Sequence, residues 1–172
     1  MELGNQIFQL QYAMDTFYFL VCGALVMWMA AGFSMLEAGL VRAKNTTEIL
    51  TKNVMLLASS AEEGFEGGSV YSAASDFFFQ VVFVATAMSI VSGAVAERMK
   101  LWAFAAFAVV MTAFIYPLEG SWTWGGADVF GMYNLGDLGF LDFAGSGIVH
   151  MAGAAAALAG VILLGARKGK YG

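Results

Sequence analysis

The chain carries very little charge for its length. Only 12% of its 172 residues are charged, whereas about 25% of the residues in a soluble domain are charged. Hydrophobic residues make up 60% of the sequence, so too few polar side chains remain to cover a water-exposed surface. This balance excludes a soluble globular protein. The formal net charge of −5 also argues against a nucleic-acid partner, because such partners require clustered basic residues.

Cysteine and histidine each occur only once. The single cysteine, Cys22, excludes an intramolecular disulfide, and we interpret it as a small buried hydrophobic residue within an apolar stretch. One histidine without a cysteine cluster argues against a metal site. The sequence also offers no nucleophile–base pairing and no phosphate-binding loop. We therefore predict neither an enzyme nor a bound cofactor.

Long uncharged stretches dominate what remains. They cover residues 17–36, 77–96, 101–118 and 143–166. Each is close to or above the roughly 18 residues that mark a candidate membrane-spanning helix. Helices are favoured because the backbone polar groups of a segment in lipid must bond within that segment. We predict an all-α polytopic protein of the lipid bilayer over residues 1–172, with helices at about 12–38, 45–58, 75–98, 100–118 and 142–166.

The basic residues predict the orientation in the cell membrane. All eight fall into three clusters, which are Arg42, Lys44 and Lys52; Arg98 and Lys100; and Arg167, Lys168 and Lys170. Acidic residues dominate the other connections. Because basic loops are enriched on the cytoplasmic side, we predict that the three clusters, including the C-terminal basic segment, are cytoplasmic and that the N-terminus lies outside.

This orientation reveals an inconsistency in the number of crossings. The path from Arg42 to Arg98 must cross the membrane an even number of times, yet residues 77–96 are the one full-length apolar stretch on it. The five to eight apolar residues around 54–58 extend a helix by only about 8–12 Å, against roughly 30 Å of hydrocarbon. Either residues are missing from this second helix or it does not span. The regular charge pattern elsewhere favours missing residues.

Two side chains near the last apolar stretch are candidates for function. His150 lies within it, and a titratable ring at membrane depth is costly enough to mark a candidate site. From position alone, a hydrogen bond to a neighbouring helix and a pore-lining relay are equally good interpretations. Asp142 precedes the stretch, where an acid typically caps a helix. Capping is the favoured interpretation, and a direct contribution to the field around a cation is the alternative.

Aromatic residues gather near the predicted outer ends of the helices. Phe79 and Phe83 are four residues apart and therefore share one helix face. Trp124 follows the next apolar stretch. An interfacial aromatic belt is the favoured interpretation of such residues. The alternative is an aromatic cage whose ring faces attract a small cation.

Small residues recur at every fourth position of the last apolar stretch. They are Ala152, Ala156 and Gly160 in one row and Gly153 and Ala157 in the next. This spacing lets transmembrane helices approach closely. We therefore predict a packed helix bundle rather than isolated membrane anchors.

Several motifs together resemble the ammonium transporter (Amt/Mep/Rh) family. The strongest is Asp142-Phe-Ala-Gly-Ser-Gly-Ile-Val-His150, followed by Gly153-Ala154 and Gly165-Ala-Arg167. Supporting motifs are Glu37-Ala-Gly-Leu-Val-Arg-Ala-Lys-Asn45, Phe79-Gln80 followed by Phe83, Ile90-Val-Ser-Gly-Ala-Val-Ala-Glu-Arg98, and Tyr116-Pro117 leading to Trp124-Gly-Gly126. These five motifs, in the family's order, are together specific. The resemblance covers essentially the whole chain, which is similar to the N-terminal half of the family with its second transmembrane helix shortened.

The resemblance implies a fold of eleven helices built from two five-helix repeats of inverted topology. Family members of this kind assemble as homotrimers with one pore in each subunit. The present chain is similar to the first five-helix repeat only, with the second helix truncated. The second repeat, which would carry the matching half of the pore, has no counterpart in this sequence.

The resemblance also implies transport of ammonium or ammonia through a hydrophobic pore. Residue by residue, Trp124 and Phe79 would line an outer aromatic recruitment site, and Phe83 would be one of two gate phenylalanines. Asp142 would be the acid that supports ammonium binding and deprotonation. His150 would be the first of two pore histidines. The alternative is a truncated, non-transporting membrane interaction or sensing subunit derived from this family.

Overall fold

The long elements of the structure are all helices. The computed structural model describes residues 2–41 and 71–169. Its helices are α1 (Glu2–Leu40), α2 (Ala73–Val95), α3 (Leu101–Ser121) and α4 (Ile148–Leu164). The described ranges contain no strand, and one isolated bridge joins Val129 to Tyr133 in the loop between α3 and α4. The all-α prediction is confirmed, while the helix predicted at 45–58 lies outside the described residues.

The helices have the length and surface of a multi-pass membrane protein. Within the described ranges, α1, α2 and α3 are long and apolar enough to cross a membrane. The 17 residues of α4 extend about 25 Å, slightly less than a typical hydrocarbon core. Large apolar side chains cover the outer faces, including Phe17, Trp28 and Trp102. Contact of such surface with water is unfavourable, whereas lipid tails match it.

The core centres on α2, which packs against α1 on one side and α4 on the other. Its fully buried residues include Met88 and Val91. By contrast, the buried residues of α1 are Gly23, Ala30 and Glu37, which recur at every seventh position and so lie on one face. Thus α1 attaches to α2 along a narrow seam, and the rest of its surface is exposed.

Glycines allow the helices to approach one another closely. An added Cβ on Gly153 of α4 would lie 2.7 Å from the Ala87 carbonyl oxygen of α2. A Cβ on Gly160 would lie 2.9 Å from Val95 Cγ1, and a Cβ on Gly23 of α1 would lie 2.7 Å from the ring of Phe78. At Gly153 a larger side chain would meet backbone and force the helices apart, whereas at Gly160 and Gly23 the neighbouring side chain would have to shift. The small-residue rows predicted on α4 therefore include part of the contact with α2.

A buried polar contact joins α1 to α2 near the C-terminal end of α1. The Ser92 hydroxyl lies 2.6 and 2.7 Å from the two carboxylate oxygens of Glu37, which is only 4% exposed. A hydroxyl has one hydrogen, so it donates to one of these oxygens at a time. The neighbouring Gly93 leaves room for the carboxylate, because an added Cβ would lie 3.4 Å from Glu37 Oε1. The ionisable carboxyl group of Glu37 is thus held in a fixed position in the contact between α1 and α2.

The middle of α3 contains a π-helical turn, Met111–Ile115. The N–H of Tyr116 donates to the Met111 carbonyl, five residues back, and Pro117 follows immediately. Proline has no N–H and cannot donate to the usual carbonyl four residues earlier. The wider turn shifts the hydrogen-bond pattern just before this position. It also divides α3 into an N-terminal segment, Leu101–Val110, and a C-terminal segment, Tyr116–Ser121.

Two helix boundaries differ from the predicted ones. The first helix begins at Glu2 rather than near residue 12, because Asn and Gln side chains early in the chain do not interrupt it. The last helix begins at Ile148 rather than 142. Residues 142–147 form a turn instead, and Gly145 takes a left-handed φ of 78° there. A side chain at that position would clash with Val149, so glycine permits the turn.

We predict that Gly153→Ala lowers the free energy of unfolding by about 1–3 kcal/mol, because the new methyl group would overpack the contact with Ala87. Gly32→Ala on α1 is the matched control, since nothing lies within 4 Å of its added Cβ. The control should be neutral or stabilising by up to about 1 kcal/mol through helix propensity. Thermal unfolding in detergent, followed by circular dichroism, measures both. Equal stability of the two variants would contradict the close approach.

Candidate functional site

Four aromatic rings form a row at one end of the structure. The ring centroids of Phe19 and Phe79 are 5.2 Å apart, those of Phe79 and Phe83 are 4.9 Å apart, and those of Phe83 and Trp124 are 6.2 Å apart. The interplanar angles of 88°, 77° and 61° make each contact an edge-to-face contact. This geometry places the positive edge of one ring against the negative face of the next. We call Phe19, Phe79, Phe83 and Trp124 the aromatic row.

Three parts of the chain contribute to the aromatic row. Phe79 and Phe83 lie one turn apart on α2, so their rings share a face. Phe19 comes from α1, and Trp124 comes from the turn after α3. Beyond Phe19, the ring of Tyr71 lies 4.3 Å away and extends the series. Burial, together with the negative charge of Asp76, raises the pKa of the Tyr71 hydroxyl and keeps it protonated.

A hydrogen bond orients the indole of Trp124. Its Nε1–H donates to the backbone carbonyl of Asp142 at 2.6 Å. The ring remains 38% exposed, so it is held at the surface without being buried. Close to it, Gly145 leaves space, because an added Cβ would lie 3.5 Å from Trp124 Cη2. Trp124 therefore joins the aromatic row to the turn that precedes α4.

The carboxylate of Asp142 binds the first amides of α4. Its Oδ2 accepts hydrogen bonds from the N–H groups of Gly147, at 3.0 Å, and Ile148, at 2.7 Å. These bonds satisfy helix-start donors and complement the helix dipole, in agreement with the capping interpretation. Both bonds go to the same oxygen. Asp142 thus lies at the Trp124 end of the aromatic row, with its half-buried carboxylate held by the start of α4.

The sequence analysis did not identify two groups near Asp142, the Tyr116 hydroxyl and the Glu119 carboxyl group. Tyr116 is only 3% exposed, and its hydroxyl has no hydrogen-bond partner among the described residues. The Glu119 and Asp142 carboxyl groups lie close enough for their charges to affect the Tyr116 hydroxyl. The charge of Asp142 also affects the Glu119 carboxyl group. The Tyr116-Pro117 motif was visible in the sequence. Its burial was not, because the π turn in α3 sets which way Tyr116 faces.

The structure brings together four of the five predicted site residues, Phe79, Phe83, Trp124 and Asp142. His150 lies elsewhere. It occupies the exposed face of α4, although the preceding residues Ile148 and Val149 are buried. None of the ring contacts found among the described residues includes it. Its surroundings are therefore not supplied by the helices described.

The chain matches the sequence model of the Ammonium Transporter Family over residues 17–62 and 61–172. The chain belongs to the Ammonium Transporter Family. The predicted family membership is therefore confirmed. The two matched segments meet at residues 61–62, within the part of the chain where the number of crossings was inconsistent.

Curated members of the Ammonium Transporter Family are longer than this chain. Ammonium transporter Amt2 of Archaeoglobus fulgidus is 41% identical over 185 residues, covering 91% of the chain and 40% of that protein. Ammonium transporter Amt1 of Haloferax mediterranei is 38% identical, covering 90% and 36%. Ammonium transporter 3 of Dictyostelium discoideum is 36% identical, covering 95% and 42%. The chain thus spans about two fifths of the relatives it matches. No solved structure matches it.

We predict that Asp142→Ala lowers the free energy of unfolding by about 1–2 kcal/mol, because the Gly147 and Ile148 amides lose their acceptor. Hydrogen exchange at these two amides should become faster than in the unaltered chain. Asp137→Ala, in the exposed loop, removes the same charge without removing a cap. Exchange by mass spectrometry in detergent measures the difference. Unchanged protection at the start of α4 would show that the carboxylate does not cap it.

Proposed function

We propose that this chain lines one side of a pathway for ammonium and ammonia, with the aromatic row and Asp142 as its outer cation recruitment site. One observation carries the proposal. Trp124 contacts Phe83 through its ring and donates its indole N–H to the backbone carbonyl of Asp142, so the aromatic row meets the acidic residue that caps α4. The curated relatives, which are named ammonium transporters, support the same substrate.

Cation–π attraction would hold the ammonium ion. Ring faces carry negative quadrupole potential, and tryptophan offers the strongest attraction of the aromatic side chains. Trp124 is exposed enough to meet an incoming ion and is fixed by its hydrogen bond to Asp142. The carboxylate adds Coulomb attraction that is strongest where water is partly excluded. Ammonium would therefore concentrate at the Trp124 end of the aromatic row.

Desolvation would drive the next step. Further in, the pathway passes Phe83, which is half-buried among apolar residues of the core. A charged ion is unfavourable in such surroundings, whereas neutral ammonia is not. Ammonium would release a proton to water at the exposed outer site, and ammonia would pass Phe83 as a gate. His150 would offer a hydrogen bond and a route for the proton deeper in the membrane.

The exposed position of His150 fits a pathway that needs more than this chain. A titratable ring on an apolar helix is stable in a membrane only where it faces protein or water. In our proposal it faces the second repeat and the second histidine of a complete subunit, within a homotrimer. The predicted orientation, with the N-terminus outside, would put Trp124 and Asp142 on the external face.

The second helix is proposed to lack residues after about Ala58. The family match is divided at residues 61–62, and the alignment to the Archaeoglobus fulgidus protein runs over 185 residues although this chain has 172. The alignment must therefore contain positions at which this chain has no residue. A second candidate function follows from this, namely a non-transporting membrane interaction or sensing subunit that retains the outer site.

Ammonium binding tests the recruitment site in the chain as it exists. We predict that the chain in nanodiscs binds ammonium chloride, and that Trp124→Leu weakens this binding about tenfold or more, as measured by isothermal titration calorimetry. Trp122→Leu is the matched control, since Trp122 contacts Phe130 and is not part of the aromatic row. Binding that survives Trp124→Leu but is lost with Trp122→Leu would overturn the site assignment.

Uptake into liposomes separates the two candidate functions. If the chain transports unaided, its ammonium uptake should fall at least tenfold with His150→Ala and remain unchanged with Leu163→Ala, on the exposed surface of α4. An absence of uptake, together with intact ammonium binding, would favour the non-transporting subunit. Loss of both uptake and binding would contradict the outer site itself.

A further inference from the structure

A cavity of about 480 Å³ lies where the C-terminal ends of α2 and α4 meet. Two arginines line it together with small residues; the lining includes Arg98, Arg167, Gly93, Ala94, Gly165 and Ala166. We call it the arginine cavity. Its volume lies within the range of small-molecule sites. The arginine cavity lies at the C-terminal ends of α2 and α4. The aromatic row and Asp142 lie near the N-terminal ends of the same two helices.

The backbone holds both guanidinium groups in place. Arg98 donates through Nη1 to the Gly165 carbonyl and through Nη2 to the Ala94 carbonyl. Arg167 donates through Nη2 to the Gly93 carbonyl at 3.3 Å. These carbonyls carry the partial negative charge of helix ends. Each helix end thus fixes an arginine at the cavity, but neutral carbonyls do not cancel its full positive charge.

One arginine donor remains unused inside the structure. The Nε of Arg98 is buried and has no hydrogen-bond partner among the described residues. A buried donor without an acceptor is costly and rare in proteins. Glu37 lies against Gly93, but it accepts a hydrogen bond from Ser92 and does not line the cavity. Arg98 Nε is closed to solvent, so an anion in the cavity would instead meet the remaining N–H donors of the two arginines. Arg98 uses two of its five donors in the bonds above, and Arg167 uses one.

We propose that the arginine cavity binds a phosphate-bearing anion. Guanidinium groups match phosphate oxygens because their N–H donors form a planar fork. Basic pockets between transmembrane helices on the cytoplasmic side suit phosphate head groups, and the predicted orientation puts this cavity on that side. The ligand is either the head group of an anionic phospholipid or free phosphate. Ammonium, a cation, is repelled here, so this inference does not depend on the proposed function.

Native mass spectrometry of the full 172-residue chain in detergent tests the site. Phosphatidylglycerol, phosphatidylcholine and inorganic phosphate are titrated separately. Arg98→Gln and Arg167→Gln should each weaken binding of the anionic probe about tenfold, since each removes a charged donor. Lys100→Gln and Lys168→Gln are matched controls, because they remove the same charge at exposed positions outside the cavity.

Arg98→Gln also removes contacts between helix ends, so a second variant keeps both arginines. Ala166→Leu places bulk at the cavity and should weaken binding about tenfold while leaving the helical circular dichroism unchanged. Binding of phosphatidylglycerol alone identifies a lipid site, and binding of inorganic phosphate identifies a soluble-anion site; either supports the proposal if it depends on the arginines. No preference for an anionic probe, or equal losses in the lysine controls, would overturn it.

Discussion

The close approach of α4 to α2 is the constraint on which the rest of the structure depends. Gly153 lies so near the Ala87 carbonyl that a methyl group would not fit without movement. In lipid, helices gain little from apolar burial alone, so packing at short range holds them together. The contact fixes the position of α4 along α2. The aromatic row and the arginine cavity lie at opposite ends of this helix pair.

At the end of this pair that carries Asp142, the consequence is a chain of contacts through three separate segments. The position of α4 fixes the turn that precedes it, and Asp142 binds back to the first amides of the helix. The Asp142 carbonyl in turn accepts the indole N–H of Trp124, whose ring lies against Phe83 of α2. The residue that caps α4 and the aromatic row are thus joined by direct contacts. The capping and cation-field interpretations of Asp142 are therefore compatible.

The sequence was informative where a property is local or periodic. The lack of charge identified the apolar helices, and the four-residue spacing of Phe79 and Phe83 predicted their shared face. The sequence patterns did not predict the individual long-range contacts. The Trp124–Asp142 bond joins residues 18 positions apart across a loop, and the Arg98–Gly165 bond joins residues 67 apart. Motif resemblance placed Trp124 and Asp142 in one site, but no pattern indicated the arginine cavity.

The π turn in α3 has a consequence for how this helix can change. A π turn corresponds to an α-helix that has accommodated one additional residue. Removing one residue from Met111–Ile115 would restore regular winding and leave the residues beyond it in nearly the same orientation, because the wider turn already accommodates the additional residue. Tyr116 would therefore stay in the core. A one-residue deletion in the regular part of α3, which has no additional residue to lose, would instead rotate the rest of the helix by about 100°.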